Sequence, residues 1–193
     1  MPLPPFPLTA LALPAIAILI GGFLLGLAFT RRVVLSAAIA AFKAGLFVAY
    51  FGAVFDGTYT FLDDWRYLHV GELLARQHIG ILDFFSHYHY VRSTVESANL
   101  SYYIYNASAI DVFGAGYYAP VAMNVLLTFM AAGLLMETAR AGLGMSRRTS
   151  TGLFVFLALC PSILAWSTVT NMKDILVATA TTAVVYAVAL VDV

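Results

Sequence analysis

The sequence predicts an all-α, polytopic transmembrane helix bundle, and three observations carry that prediction. Of the 193 residues, 62% are hydrophobic and 10% charged, and the mean hydropathy is +0.88. A soluble domain averages roughly 45–50% apolar and about 25% charged residues, and a chain of this length leaves too much surface outside any core to hide such an excess from water. Second, five stretches approach the roughly 20 apolar residues that a helix needs to cross a ~30 Å hydrocarbon layer. Third, the polarity that interrupts them gathers mainly in one segment, residues 56–116.

Ten Lys and Arg residues balance ten Asp and Glu residues. Zero net charge supplies neither the basic field that a nucleic-acid partner needs nor an acidic tail. A lone cysteine, Cys160, excludes an internal disulfide framework and a cysteine-based zinc site.

The spans are expected at about 8–29, 33–55, 117–136, 152–170 and 175–191, within a single membrane domain covering 1–193. The first resembles a cleaved signal peptide only superficially. Its apolar run is too long, it has no basic leader, and Arg31 and Arg32 follow it. It reads as a retained helix that tolerates Pro14 near its entry. Arg31 and Arg32 separate the first two spans, and Arg140, Arg147 and Arg148 separate the third and fourth. The positive-inside rule puts both short connections in the cytoplasm, which leaves the 56–116 loop and the turn at Asn171-Met172-Lys173 on the opposite side.

Residues 61–76 of that loop read as an amphipathic helix lying along the membrane surface. Trp65, Leu68, Leu73 and Leu74 form its apolar side, and Arg66, Glu72 and Arg76 its polar one. Asp63 or Asp64 suits the N-cap, with Phe61 or Leu62 as a hydrophobic staple. Equally, an ionised carboxylate at this place accepts a proton from a hydroxyl or holds a hard divalent cation. Arg66, three residues after Asp63, either pairs with it or meets an anionic substrate.

His87 and His89 would face one way in an extended segment and so form half of a metal site. With no third ligand nearby, a polar, tyrosine-rich interfacial loop is the simpler explanation of both. Asn99 and Asn106 head glycosylation sequons. Residues 101–116 read as a second interfacial helix, stopped by Gly114 and Gly116, with Tyr102, Tyr103 and Tyr105 at headgroup level.

Two further places stand out within or beside the spans. Lys43, ten residues inside the second span, must face a bundle interior or snorkel. The stretch from Pro161 to Asp174 forms a polar elbow between the last two spans. There Lys173 is either an interfacial cation or a phosphate ligand, and Asp174 starts the next helix.

In order and spacing these pieces resemble the GT-C superfamily of polytopic glycosyltransferases, which includes protein O-mannosyltransferases and aminoarabinose transferases. The residues that carry the resemblance lie between about 33 and 190. They are Asp63-Asp64-Trp65-Arg66-Tyr67 after the second span, then Gly71-Glu72-Leu73-Leu74-Ala75. An aromatic segment ending in Phe113-Gly114 follows, then a span holding Asn124, and finally Pro161-Ser162, Trp166-Ser167 and Lys173-Asp174.

The resemblance implies an inverting transfer of a sugar from a polyprenyl-phosphate donor to an acceptor at the extracytoplasmic face of the plasma (inner) membrane. It assigns catalysis to Asp63 and Asp64, as base or as metal ligands. Arg66, Tyr67, Lys173 and Asp174 would bind substrate, the cations offsetting charge on the leaving phosphate. No cofactor is required on this reading, with a divalent cation on Asp63 and Asp64 as the alternative. The family usually has more spans, so the chain is expected to be the front part of such an enzyme or to need a partner chain that supplies helices. The rival reading is a non-catalytic membrane protein: a transporter subunit, an assembly factor, or a degenerate relative that binds lipid-linked sugar. A transporter would gather polar groups at the midplane, whereas here they gather in one loop.

Overall fold

The computed structural model describes residues 5–58, 60, 62–95 and 99–191. All regular structure among them is helical: α1 (Leu8–Thr30), α2 (Val33–Ala49), α3 (Leu62–Ala75), α4 (Tyr88–Val95), α5 (Leu100–Phe113), α6 (Tyr118–Leu143), α7 (Arg147–Leu159), α8 (Pro161–Thr168) and α9 (Asp174–Val191). Four helices are long and apolar enough to cross a membrane, and α7 with α8 makes a fifth, bent span. The protein is thus an all-α bundle of the multi-pass membrane class.

α1 and α2 form an antiparallel hairpin around Arg31 and Arg32. Arg31 takes a left-handed conformation (φ 56°), and its N–H closes on the Leu27 carbonyl. At the other end α2 widens into one π-helical turn, Tyr50–Val54, closed by Phe55 N–H to Tyr50 O at 2.8 Å. The wider turn carries Phe51 and Phe55 into an aromatic cluster with Phe6, Phe47, Tyr117 and Tyr118. α6 runs parallel to α1 and lies very close to it. A Cβ at Gly133 would come within 2.1 Å of the Phe29 ring. α9 packs on α6 in the same direction, Thr179 facing the Leu127 carbonyl.

The segment between the second and third spans is not a surface decoration. α5 is buried almost along its whole length, from Tyr102 to Ile110, and α3 lies across it. The buried positions of α3 are Asp64, Tyr67, Leu68, Gly71, Leu74 and Ala75. They recur at three and four residues, the spacing of one helical face. Gly71 permits the approach, because a Cβ there would sit 2.7 Å from Asn106 Cβ.

Several expectations need correction. The tyrosines of the second loop helix do not face headgroups: Tyr102, Tyr103 and Tyr105 are buried within the protein, as is Asn106 of the second sequon. Leu73, assigned to the apolar side of α3, is exposed. The third span runs seven residues past its predicted end at Met136, carried by the Glu137–Arg140 ion pair one turn apart. Arg140 therefore belongs to the helix, which Gly144 ends.

The fourth span begins at Arg147, where Ser146 Oγ accepts from Thr149 N–H at 3.3 Å. It breaks by 50° at Cys160-Pro161. Proline has no N–H to continue the ladder and suits the first turn of a new helix. His87 and His89 do not share a strand face. A hydrogen-bonded turn covers 81–87 and α4 starts at Tyr88.

Candidate functional site

Lys43 and the loop-side residues separate into two polar centres. Lys43 is 0% exposed, within the bundle and not at its edge. Its ammonium donates to Thr128 Oγ1 and lies 5.3 Å from the centre of the Phe129 ring, so α6 provides both its hydrogen bond and its cation–π contact.

The larger centre joins α3, α5, α6 and the α8–α9 elbow. Helicity from Leu62 puts Asp63 and Asp64 in the first turn of α3, not at its N-cap. The helix dipole stabilises both charges there. Phe61 lies outside the described residues, as does the side chain of Leu62 that was to share the staple role.

Adjacent residues on a helix point about 100° apart, and the two carboxylates accordingly part company. Asp63 is exposed. Asp64 is 0% exposed and accepts from the Tyr117 hydroxyl at 2.5 Å. The pair therefore does not present two carboxylates to one cation. Among the described residues, no three His, Cys, Asp or Glu side chains converge on a common point.

Asn171, in the elbow, ties the parts together. Its Nδ2 donates to Asn106 Oδ1 at 2.8 Å and to the Asp64 carbonyl at 3.3 Å. Its Oδ1 accepts from the Tyr102 hydroxyl at 2.8 Å, and its backbone N–H donates to Tyr117 Oη at 3.0 Å. Asn124, on α6, continues the network. Its Oδ1 accepts from Tyr105 Oη at 2.8 Å, and its Nδ2 donates to the Met172 carbonyl at 3.3 Å. Burial raises the Tyr102, Tyr105 and Tyr117 hydroxyls above their ordinary pKa, and the Asp64 carboxylate pushes Tyr117 further the same way. Exposed Asp56 moves the other way, its carboxyl lowered by two hydrogen bonds from Thr58.

The other predicted site residues scatter by burial. Arg66 is exposed on α3 beside Asp63, and Asp174 is exposed in the first turn of α9, next to half-buried Lys173. Tyr67 faces inward, its ring edge-on to Tyr102 at 4.9 Å and its hydroxyl accepting from Asn99 at 3.2 Å. A cavity of about 380 Å³ lies between α8 and α9, lined by Ser162, Ile163, Trp166, Asp174, Ile175 and Ala178. It shares Ile163, Ile175 and Ala178 with a smaller apolar cleft of about 100 Å³ reaching Thr128.

Tyr117 and Asn106 were absent from the sequence-based site, and Tyr102 and Tyr105 were assigned to the interface. The available signal was spacing: 102, 105 and 106 fall on one helical face. The fold and this centre define the class, a polytopic helical membrane protein with a buried polar centre on one side of the bundle. Compared with protein-family models, curated proteins and solved structures, the chain matches none.

Proposed function

We infer that the protein is a membrane glycosyltransferase, or the front part of one, that moves a sugar from a polyprenyl-phosphate donor to an acceptor hydroxyl on the side of residues 56–116. One observation carries the reading: two segments about a hundred residues apart meet where the acid and the cation lie. The Asp64 carbonyl is 3.3 Å from Asn171 Nδ2. Asp63 is one residue from the first, and Lys173 two residues from the second. That contact ties the exposed carboxylate and the half-buried cation to the same end of the bundle, and Asp174, next to Lys173, lines the cavity between α8 and α9.

The chemistry follows from those types. The acceptor hydroxyl oxygen attacks the anomeric carbon from the face opposite the phosphate, and the bond from that carbon to the phosphate oxygen breaks. Asp63 takes the hydroxyl proton, and the polyprenyl phosphate leaves with the electron pair. Lys173, with Arg66 nearby on α3, offsets the charge that grows on the phosphate. Asp64 has a different task on this reading. Its buried carboxylate holds Tyr117 and keeps the first turn of α3 against the elbow.

The test is a pair of single variants, each assayed for transfer of labelled sugar in membranes containing the protein at measured amounts. Asp63→Asn is expected to cut transfer at least about 100-fold, the scale of a lost general base, with normal accumulation. Asp64→Asn is expected to lower accumulation first. Full transfer by Asp63→Asn would sink the assignment, and absence of transfer by the unaltered protein with polyprenyl-phosphate sugars would favour the non-catalytic reading.

A further inference from the structure

One exposed cluster takes no part in the centre described above. Between α3 and α4 the chain turns over residues 81–87, and the apolar side chains at its tip point away from the protein. Leu82 is 95% exposed and Phe85 86%, with Ile81 exposed beside them. Three large apolar side chains within five residues make a contiguous patch, unlike the scattered apolar residues of an ordinary surface.

The turn is held in place. Ile81 N–H donates to Ser108 Oγ at 2.9 Å, Asp83 N–H to the Gly80 carbonyl at 3.2 Å, and His87 N–H to the Asp83 carbonyl at 3.2 Å. Gly80 lies against α5 so closely that a Cβ would approach Ser108 Oγ to 3.0 Å. The base of the turn therefore rests on the C-terminal half of α5. Ser108 stands ten residues before Tyr118, the first residue of the span α6. Five of those steps are helical, which limits the separation to roughly 25 Å.

We propose that residues 81–85 form an apolar finger that dips into the bilayer surface on this side of the protein, taking the upper part of phospholipid acyl chains as its partner. Three features favour lipid over protein as the occupant. Ile81, Leu82 and Phe85 crowd one short turn, too short to present the apolar stripe of several helical turns that a helix-in-groove contact calls for. Behind the tip come His87, Tyr88, His89, Tyr90 and Arg92, the amphipathic and cationic side chains that suit a headgroup layer. The base is tethered to the helix that leads into a span, so the surface lies within reach. Exposed Asp83 in the finger keeps the insertion shallow, its carboxylate remaining at headgroup level. Because α3 and the finger both rest on α5, the finger sets the height of the first turn of α3 above the bilayer.

The test uses the full chain with Trp65→Phe, Trp166→Phe and Phe85→Trp, leaving one tryptophan at an exposed position, in phosphatidylcholine vesicles brominated either high or low on the acyl chain. The finger predicts that high bromines reduce emission to roughly half or less and low bromines reduce it less, as fits shallow burial. Unquenched emission overturns the proposal whether it is red, meaning water, or blue, meaning coverage by a second copy or another protein. A second probe avoids the tryptophan replacements: Cys160→Ser with Leu82→Cys carrying a nitroxide. Its relaxation is expected to respond more to oxygen than to a water-soluble nickel complex. The opposite ranking also overturns the finger.

Discussion

Tyr117 sits where three segments meet: its hydroxyl donates to Asp64 on α3 and accepts from the Asn171 backbone in the elbow. Tyr117→Phe removes that hydroxyl from both and is expected to cost about 1–3 kcal/mol, the scale of a broken buried hydrogen bond. Thermal melts of the purified protein measure it. Alkali tests the same group. The folded-state pKa of Tyr117 lies above its ordinary value of 10.0, so the stability it contributes is complete below about pH 10 and is lost as pH rises beyond it. Tyr102 and Tyr105 move in the same direction. The melting temperature should therefore hold up to about pH 10 and fall above it, alongside the rise of tyrosinate absorbance; a fall that begins well below that point would contradict the burial of these hydroxyls. At this scale the sequence was half legible. Asp63, Arg66 and Lys173 could be chosen as charges that break an apolar pattern. Tyr117 could not, because a tyrosine at the mouth of a span reads as a belt residue until its partner on another helix is known.

At the level of elements, the apolar runs located every span, while the boundaries followed rules that hydropathy does not count. The Glu137–Arg140 pair lets α6 outlast its apolar run, and Pro161 divides the fourth span in two. The α3–α5 packing depends on contacts rather than on composition. The buried face of α3 contains Asp64, Tyr67 and Gly71, of which only Tyr67 is a residue that an apolar count would include. Gly71 is the sharpest point of that packing. Gly71→Val would drive two methyl groups into Asn106 and is expected to destabilise by about 1–3 kcal/mol or shift α3 off α5. Gly45→Ala is the matched control, since nothing lies within 4 Å of a Cβ there and alanine favours a helix by up to about 1 kcal/mol. Protease susceptibility of residues 76–99 reads the difference: raised in Gly71→Val, unchanged in Gly45→Ala. Equal resistance in both would show that the close approach is not what holds α3 down.

Across the whole molecule, charge divides between the two sides of the bundle. Arg31, Arg32, Arg140, Arg147 and Arg148 lie at one end; Arg66, Arg76, Arg92 and Lys173 lie at the other, and Lys43 lies between. Among the described residues, the acids Asp56, Asp63, Asp64, Glu72, Asp83, Asp111 and Asp174 accompany the second group. Lys and Arg in short connections set orientation, whereas acids and long loops count little. The deciding residues are then the five arginines, all of them in or within four residues of a two- or three-residue turn and none diluted over a long loop. That argument predicts the arginine side in the cytoplasm and α3, α4 and α5 outside, as a donor carried on an extracytoplasmic leaflet requires. Two single-cysteine proteins on a Cys160→Ser background decide it. Ser93→Cys lies on the exposed side of α4, clear of the finger, and Ser146→Cys in the exposed turn before α7. In intact cells a membrane-impermeant maleimide should label the first and spare the second until the membrane is opened. The reverse pattern would place Asp63 and Lys173 on the cytoplasmic side, where cytoplasmic sugar nucleotides rather than lipid-linked sugars are the ready donors, and the proposed reaction would have to be given up even if the bundle stood unchanged.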